Sequence, residues 1–285
     1  MSEPNPSTGR RTSRPRSTRP EEPRMTAAVE TVVAAPSAAR PPVGSSGTLR
    51  NLGTVITKEL HSYFASPIAY LVMAAFLVMN GYLFWAILIS SKQADLSSTF
   101  ADMAIILMLL SPAITMRLFA EEQRQGTIEL LLTSPIREAE LVVGKWLSSL
   151  LFFLVMLVLT GTFPLFLLKF GTPDVGTMLA GYLGMFMVEA VFLAIGLFMS
   201  SVTQNQIVAL ALSFGVLLVL WLFQGAGQNF GQNGGSSVVA YLGMSGHFDS
   251  FTSGAIQVKD LVYYASGIVL ALFLTVRSVE SRRWR

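Results

Sequence analysis

Six apolar stretches separated by short polar intervals organise the chain from Pro67 onward: about Pro67 to Ile89, Met103 to Phe119, Leu141 to Leu168, Met178 to Met199, Ile207 to Phe223 and Leu261 to Val276. Each approaches the roughly 20 residues a helix needs to cross a hydrocarbon core of about 30 Å. The second and sixth are short by this count, but both can extend into their flanks as helix. None shows the alternating pattern of a membrane barrel, and in lipid the backbone must bond to itself, so helices are expected throughout. The expectation is an all-α membrane protein with six transmembrane helices.

Before the first run, residues 48–65 carry a different period. Leu49, Leu52, Val55, Ile56, Leu60, Tyr63 and Phe64 recur at three- and four-residue steps, while Arg50, Asn51, Lys58 and Glu59 fall elsewhere on the wheel. This predicts an amphipathic helix in the membrane interface. Its polar face either serves a surface anchor or docks on a soluble partner. Ser66-Pro67 then supplies a cap and a first-turn proline for the first span. Residues 1–47 are rich in Pro, Ser, Thr, Arg and Ala without apolar period and are expected to be a disordered tail. Arg10-Arg11 has no apolar core within reach, so no cleaved signal is expected, and Met25 is an alternative initiator.

The second and third runs are separated by a charged, helix-patterned segment: Glu121-Glu122-Gln123-Arg124-Gln125-Gly126-Thr127-Ile128-Glu129, followed by Leu130-Leu131-Leu132-Thr133-Ser134-Pro135. The second span is expected to continue through Met116 to Arg124 and to end at Gly126, since glycine takes the left-handed cap at least cost. Thr127 then caps a short helix with Glu129 in its first turn, where the dipole favours an acid. Ser134-Pro135 stops that helix and starts the next. A solvated charged loop would account for Glu121, Glu122 and Arg124 as well.

Composition and charge then narrow the class. The chain is 52% hydrophobic and 13% charged, the profile of a polytopic membrane protein. Putting the N-terminal tail, the loop after Phe119 and the C-terminal end on one side leaves only Lys92, Lys169 and Lys259, of 20 basic residues, on the other. Both termini are therefore expected to be cytoplasmic, in a cell membrane. The formal charge of +3 follows from this topology, and no nucleic-acid partner is expected. Without cysteine there is no disulfide or thiolate chemistry to consider. Gly144-Lys145 is followed by Trp146 at the start of a span, which does not make a phosphate loop, and His61 and His247 fall on opposite sides of the membrane. With no nucleophile elbow or metal-binding histidine pair, the chain reads as a non-enzyme.

Within the spans, Glu189 is the conspicuous ionisable residue, read either as part of a transport path or as a polar contact between helices. Pro112 is expected to kink the second span. The outer loop 224–258 retains apolar residues at Val238 to Met244 and Phe248 to Ile256, enough for short helices at the outer interface, although a flexible loop is equally compatible.

The interfacial helix, the Ser-Pro start of the first span, the run from Glu121 to Ile136, and six spans ending in Tyr263-Tyr264 and Ser281-Arg282-Arg283-Trp284-Arg285 together resemble a type-2 ABC transporter permease. The similarity is greatest to the single-domain permeases of the gliding-motility and nitrous-oxide-reductase-maturation type. It covers Leu49 to Arg285, with the Glu-Glu to Ser-Pro stretch as its specific part. The resemblance implies a homodimer or paired permease core bound to two ATPase subunits that hold ATP and Mg. It also implies a coupling helix from about Glu121 to Ser134, with Glu121, Glu122, Arg124, Gly126, Thr127, Glu129, Ser134 and Pro135 at the ATPase interface. Asn51, Lys58 and Glu59 would belong to a connecting helix beside it. The implied function is ATP-driven export, and the alternative is a non-transporting scaffold that transmits force to an extracytoplasmic partner. A transporter working alone would need more intramembrane ionisable groups, or internal repeats.

Overall fold

The computed structural model describes residues 45–91, 95–127, 136–229 and 241–282. Their regular structure is entirely helical: α1 (Ser45–Ala65), α2 (Pro67–Ser91), α3 (Ser97–Thr115), α4 (Ala120–Arg124), α5 (Glu138–Thr160), α6 (Thr162–Phe170), α7 (Val175–Val202), α8 (Gln206–Asn229), α9 (Met244–Thr252) and α10 (Val258–Arg282). Six stretches are long and apolar enough to cross a membrane: α2, α3 with α4, α5 with α6, α7, α8 and α10. The chain is thus an all-α, multi-pass membrane protein. Of the tail expected over 1–47, residues 45–47 already belong to α1, and the rest lies outside the described residues.

Burial divides the spans into a centre and a periphery. In α3 and α7, 67% of the most apolar window is buried, against 22%, 17% and 22% in α2, α8 and α10. α7 is the hub, packing against α10, α3, α8, α9 and α5. Its approach to α3 is so close that a Cβ on Gly196 would collide with the Thr115 side chain. Small residues at such crossings let membrane helices gain dispersion contacts where the hydrophobic effect supplies little. At the N-terminus of α7, Asp174 caps the helix, accepting from Gly176 N at 2.9 Å and Thr177 Oγ1 at 2.7 Å. These bonds, that from Thr177 foremost, hold its carboxyl below the ordinary value.

Two breaks depart from the expected spans. The third run is interrupted at Gly161, between α5 and α6. Pro164 has no N–H to bond the Thr160 carbonyl one turn back, and that oxygen instead accepts from Tyr182 Oη at 2.9 Å. The second run does not continue smoothly to Arg124: residues 116–119 form a turn between α3 and α4. Ser200 of α7 makes that turn, its Oγ accepting from the amides of Phe119 and Ala120, both at 3.1 Å, and donating to the Met116 carbonyl at 3.0 Å. Pro112 lies inside α3, which continues to Thr115.

Of the two short helices expected at 238–244 and 248–256, the first lies largely outside the described residues, with Tyr241 and Leu242 helical, and the second is replaced by α9, which occupies the earlier span Met244–Thr252. It buries Met244, His247, Phe248 and Phe251 against the bundle. His247 Nδ1 lies 2.6 Å from Asp260 Oδ1, its Nε2 lies 2.9 Å from the Tyr241 carbonyl, and its ring stacks on Tyr263 at 4.0 Å. Because a carbonyl only accepts, Nε2 carries a proton.

Gly196→Val is expected to destabilise the protein by about 1–3 kcal/mol through overpacking. A lower thermal midpoint in detergent is the readout. Gly215, where an added Cβ meets nothing within 4 Å, is the control: Gly215→Val should stay within about 0.5 kcal/mol of the parent.

Candidate functional site: a buried lysine where three helices meet

An ammonium in a helix bundle needs partners, because desolvating it alone costs far more than any single contact returns. Lys145, near the start of α5, has a side chain only 1% exposed. Its Nζ lies 2.8 Å from Glu59 Oε1 on α1 and 2.8 Å from Glu122 Oε1 on α4. The Phe119 ring lies 5.2 Å from the same nitrogen, within cation–π range. One buried cation thus joins α1, α4 and α5.

Further contacts fix the same junction. Val55 of α1 sits so near α5 that a Cβ on Gly144 would come within 2.7 Å of its Cγ1. Asn51 Nδ2 donates to Glu140 Oε2 at 3.3 Å, and the same oxygen accepts from the Arg137 amide at 3.3 Å. Tyr63 Oη donates to the Ile114 carbonyl at 3.3 Å and its ring stacks on Phe152 at 5.1 Å. Burial, with the Glu59 carboxylate, pushes the Tyr63 phenol far above its ordinary pKa despite the opposing Arg117, so the hydroxyl stays a donor. Arg117 Nη1 donates to Ser66 Oγ at 3.3 Å.

α4 is held from its other side by the end of α7. Gln123 Nε2 donates to the Ser201 carbonyl at 2.9 Å. That oxygen also accepts from Arg282 Nη2 at 3.0 Å and Ser278 Oγ at 3.3 Å, both on α10. A helix leaves its last carbonyls unpaired, and these side chains satisfy them.

The expected site residues fall into distinct positions. Of the α1 trio, Asn51 and Glu59 turn inward onto Glu140 and Lys145, while Lys58 is exposed. Glu122 faces inward; Glu121 is half-buried and accepts from Gln125 Nε2 at 3.2 Å; Arg124 is exposed. Gly126 has φ 69, the left-handed conformation anticipated for it, and Thr127 Oγ1 donates to the Glu122 carbonyl at 3.3 Å. Glu129, Ser134 and Pro135, with most of the short helix expected after Thr127, lie outside the described residues. Glu189 is fully buried on α7 with both carboxyl oxygens within 2.8 Å of Ser111 Oγ of α3, and Ser111 Oγ also lies 2.6 Å from the Leu107 carbonyl. Among the described residues no cluster of three His, Asp or Glu side chains could hold a metal ion.

Sequence reasoning passed over Lys145, Ser200 and Gln123. Lys145 had a usable signal: a lysine inside an apolar run demands acids, and Glu59, Glu121, Glu122 and Glu140 lie in the polar segments of the sequence nearest that run. The hydroxyl of Ser200 and the amide of Gln123 had none, since such groups are common on any helix.

Six spanning helices, with a helix ahead of them and a polar helix after the second, define an integral membrane component rather than a soluble domain with an anchor. The family model described as ABC-2 family transporter protein matches residues 61–239, and the chain belongs to that family. It is accordingly a permease of an ABC system, a family that works with an ABC ATPase subunit. Comparison with the curated proteins returned no match.

Lys145→Met is expected to destabilise the protein by about 3–5 kcal/mol, because it strands two acids. Adding Glu59→Gln and Glu122→Gln should recover most of the lost thermal midpoint; a triple variant no more stable than Lys145→Met would show that the charges are not the cause.

Proposed function

We propose that this chain is the membrane half of an ATP-driven exporter, and that a separate ATPase subunit, holding ATP and Mg, drives it by pushing on the segment from about Glu121 to Ser134. The observation that carries this reading is the Lys145 triad. It ties the segment's first helix to α1 and α5, so force on that segment reaches the spans as a displacement of helices rather than as a loop deformation. The exposed or half-exposed Glu121, Arg124, Gly126 and Thr127 form the described part of the partner surface, with Glu129, Ser134 and Pro135 continuing it. Lys58 lies beside them on α1, where Asn51 and Glu59 act as internal braces. Both termini, with this segment, are cytoplasmic, in keeping with the distribution of Lys and Arg.

ATP binding to the partner favours one of two helix arrangements by binding it more tightly, and hydrolysis removes that bias. Glu189 and Ser111 make α3 and α7 one unit in that movement. The sparsely buried α2, α8 and α10 offer apolar surface to lipid and to a second copy, consistent with a homodimeric core.

Glu121→Lys with Arg124→Glu should abolish capture of the ATPase subunit and ATP-dependent transport in proteoliposomes, while membrane insertion and thermal midpoint persist. Gly126→Pro should uncouple ATP hydrolysis from transport, since proline cannot take a positive φ. Unchanged capture and transport in these variants would reject the proposal. Glu122 is unsuited to this test, because reversing its charge also breaks the Lys145 triad.

A further inference from the structure

A cleft of about 380 Å3 opens beside the triad, between α1, the start of α2, and the joint of α3 and α4. That volume is within the range of small-ligand sites, about 300–1,000 Å3. Its wall changes character with depth. Ile68, Ala69, Val72 and Phe152 line the part reached as α2 and α5 run into the apolar spans, while charged groups line the part at the level of α1 and α4.

The charges balance in number and not in pairing. Three cations, Lys58, Arg117 and Lys145, share the lining with three acids, Glu59, Glu121 and Glu122. Lys145 is engaged by Glu59 and Glu122. Arg117 has no carboxylate at ion-pair distance among the described residues; it reaches the Ser66 hydroxyl at 3.3 Å, and its buried Nε has no acceptor. On the acid side, Glu122 Oε2 has no donor and Glu121 is met by the Gln125 amide. A guanidinium without a carboxylate partner and two carboxylates, that of Glu121 the more exposed, therefore line one cleft.

A simple anion would gain Arg117 but would meet Glu121 and Glu122. A ligand with a phosphate and an ammonium a few bonds apart satisfies both sets. Guanidinium binds phosphate through two parallel N–H bonds, and an ammonium supplies N–H donors to carboxylates. A quaternary ammonium has none. We propose that this cleft binds the phosphoethanolamine headgroup of a membrane lipid. Its phosphate sits on Arg117 and the Ser66 hydroxyl, its ammonium faces Glu121 and Glu122, and the start of an acyl chain lies along Ile68, Ala69 and Val72. The proposal shares Glu121 with the ATPase reading but does not rest on it, since it requires only that α2 enters a bilayer, and lipid binding is read without the ATPase.

The test is titration of the full chain, purified in lipid-free detergent, with dioctanoyl phosphatidylethanolamine, phosphatidylcholine and phosphatidylglycerol, with binding read from the shift in thermal midpoint. The ethanolamine lipid should bind about tenfold more tightly than the other two, as expected for one added charge-assisted bond. Arg117→Gln should weaken its binding by about tenfold. Ala69→Leu, which fills the apolar floor and changes no charge, should abolish the shift. Glu121→Gln, at a half-exposed position suited to a folded variant, should lose the preference for ethanolamine over choline. Equal binding of all three lipids, preference for the glycerol lipid, or an unaltered preference in Glu121→Gln would each overturn the proposal.

Discussion

The buried ammonium of Lys145 sets the arrangement of everything on its side of the membrane. A charge that has surrendered its water must be neutralised within hydrogen-bond distance, and the two carboxylates at 2.8 Å come from helices far apart in sequence. Neither α1 nor α4 can slide or rotate without exposing or orphaning that charge. α4 has only five residues, too few to hold a position by its own helical bonds. It is placed by Glu122 on one flank and Gln123 on the other. The triad thus acts less as a source of stability than as a device that specifies position, since an apolar junction would tolerate many registers.

A second set of polar contacts works on the central helix pair. Glu189 and Ser111 join α3 to α7 deep in the bundle, and Ser200 joins the same two elements at their ends. Between them lies the crossing of Gly196 and Thr115, where only glycine leaves room. These features make α3 and α7 a single body, around which the lightly buried spans are arranged. The Ser200 hydroxyl also sets where that body ends, because it takes up the amides that would otherwise continue α3 into α4.

How much of this was legible follows from the range of each interaction. The six apolar runs were visible because burial in lipid writes a continuous signature. Ser66-Pro67 and Gly126 were visible because backbone requirements are local: proline opens α2 and Gly126 has φ 69. The helix break at residues 116–119 was not, for its cause is a serine on α7. The break at Gly161 was missed when Leu141 to Leu168 was read as one span: Pro164 carried a local signal for it, but the tyrosine that tolerates it lies on another helix. The periodicity of α1 set Asn51, Lys58 and Glu59 together as polar positions; that Asn51 and Glu59 point at α5 while Lys58 is exposed depends on partners this periodicity cannot encode.

The convergence of Gln123, Ser278 and Arg282 on one carbonyl has a practical side. It brings the final turn of α10 to the same carbonyl that holds α4, so a group attached at the end of α10 starts beside α4. A bulky affinity tag or fluorescent fusion placed there would compete sterically with anything that lands on α4. A short, cleavable label, or one placed ahead of α1, is the better choice for isolating assemblies of this protein intact.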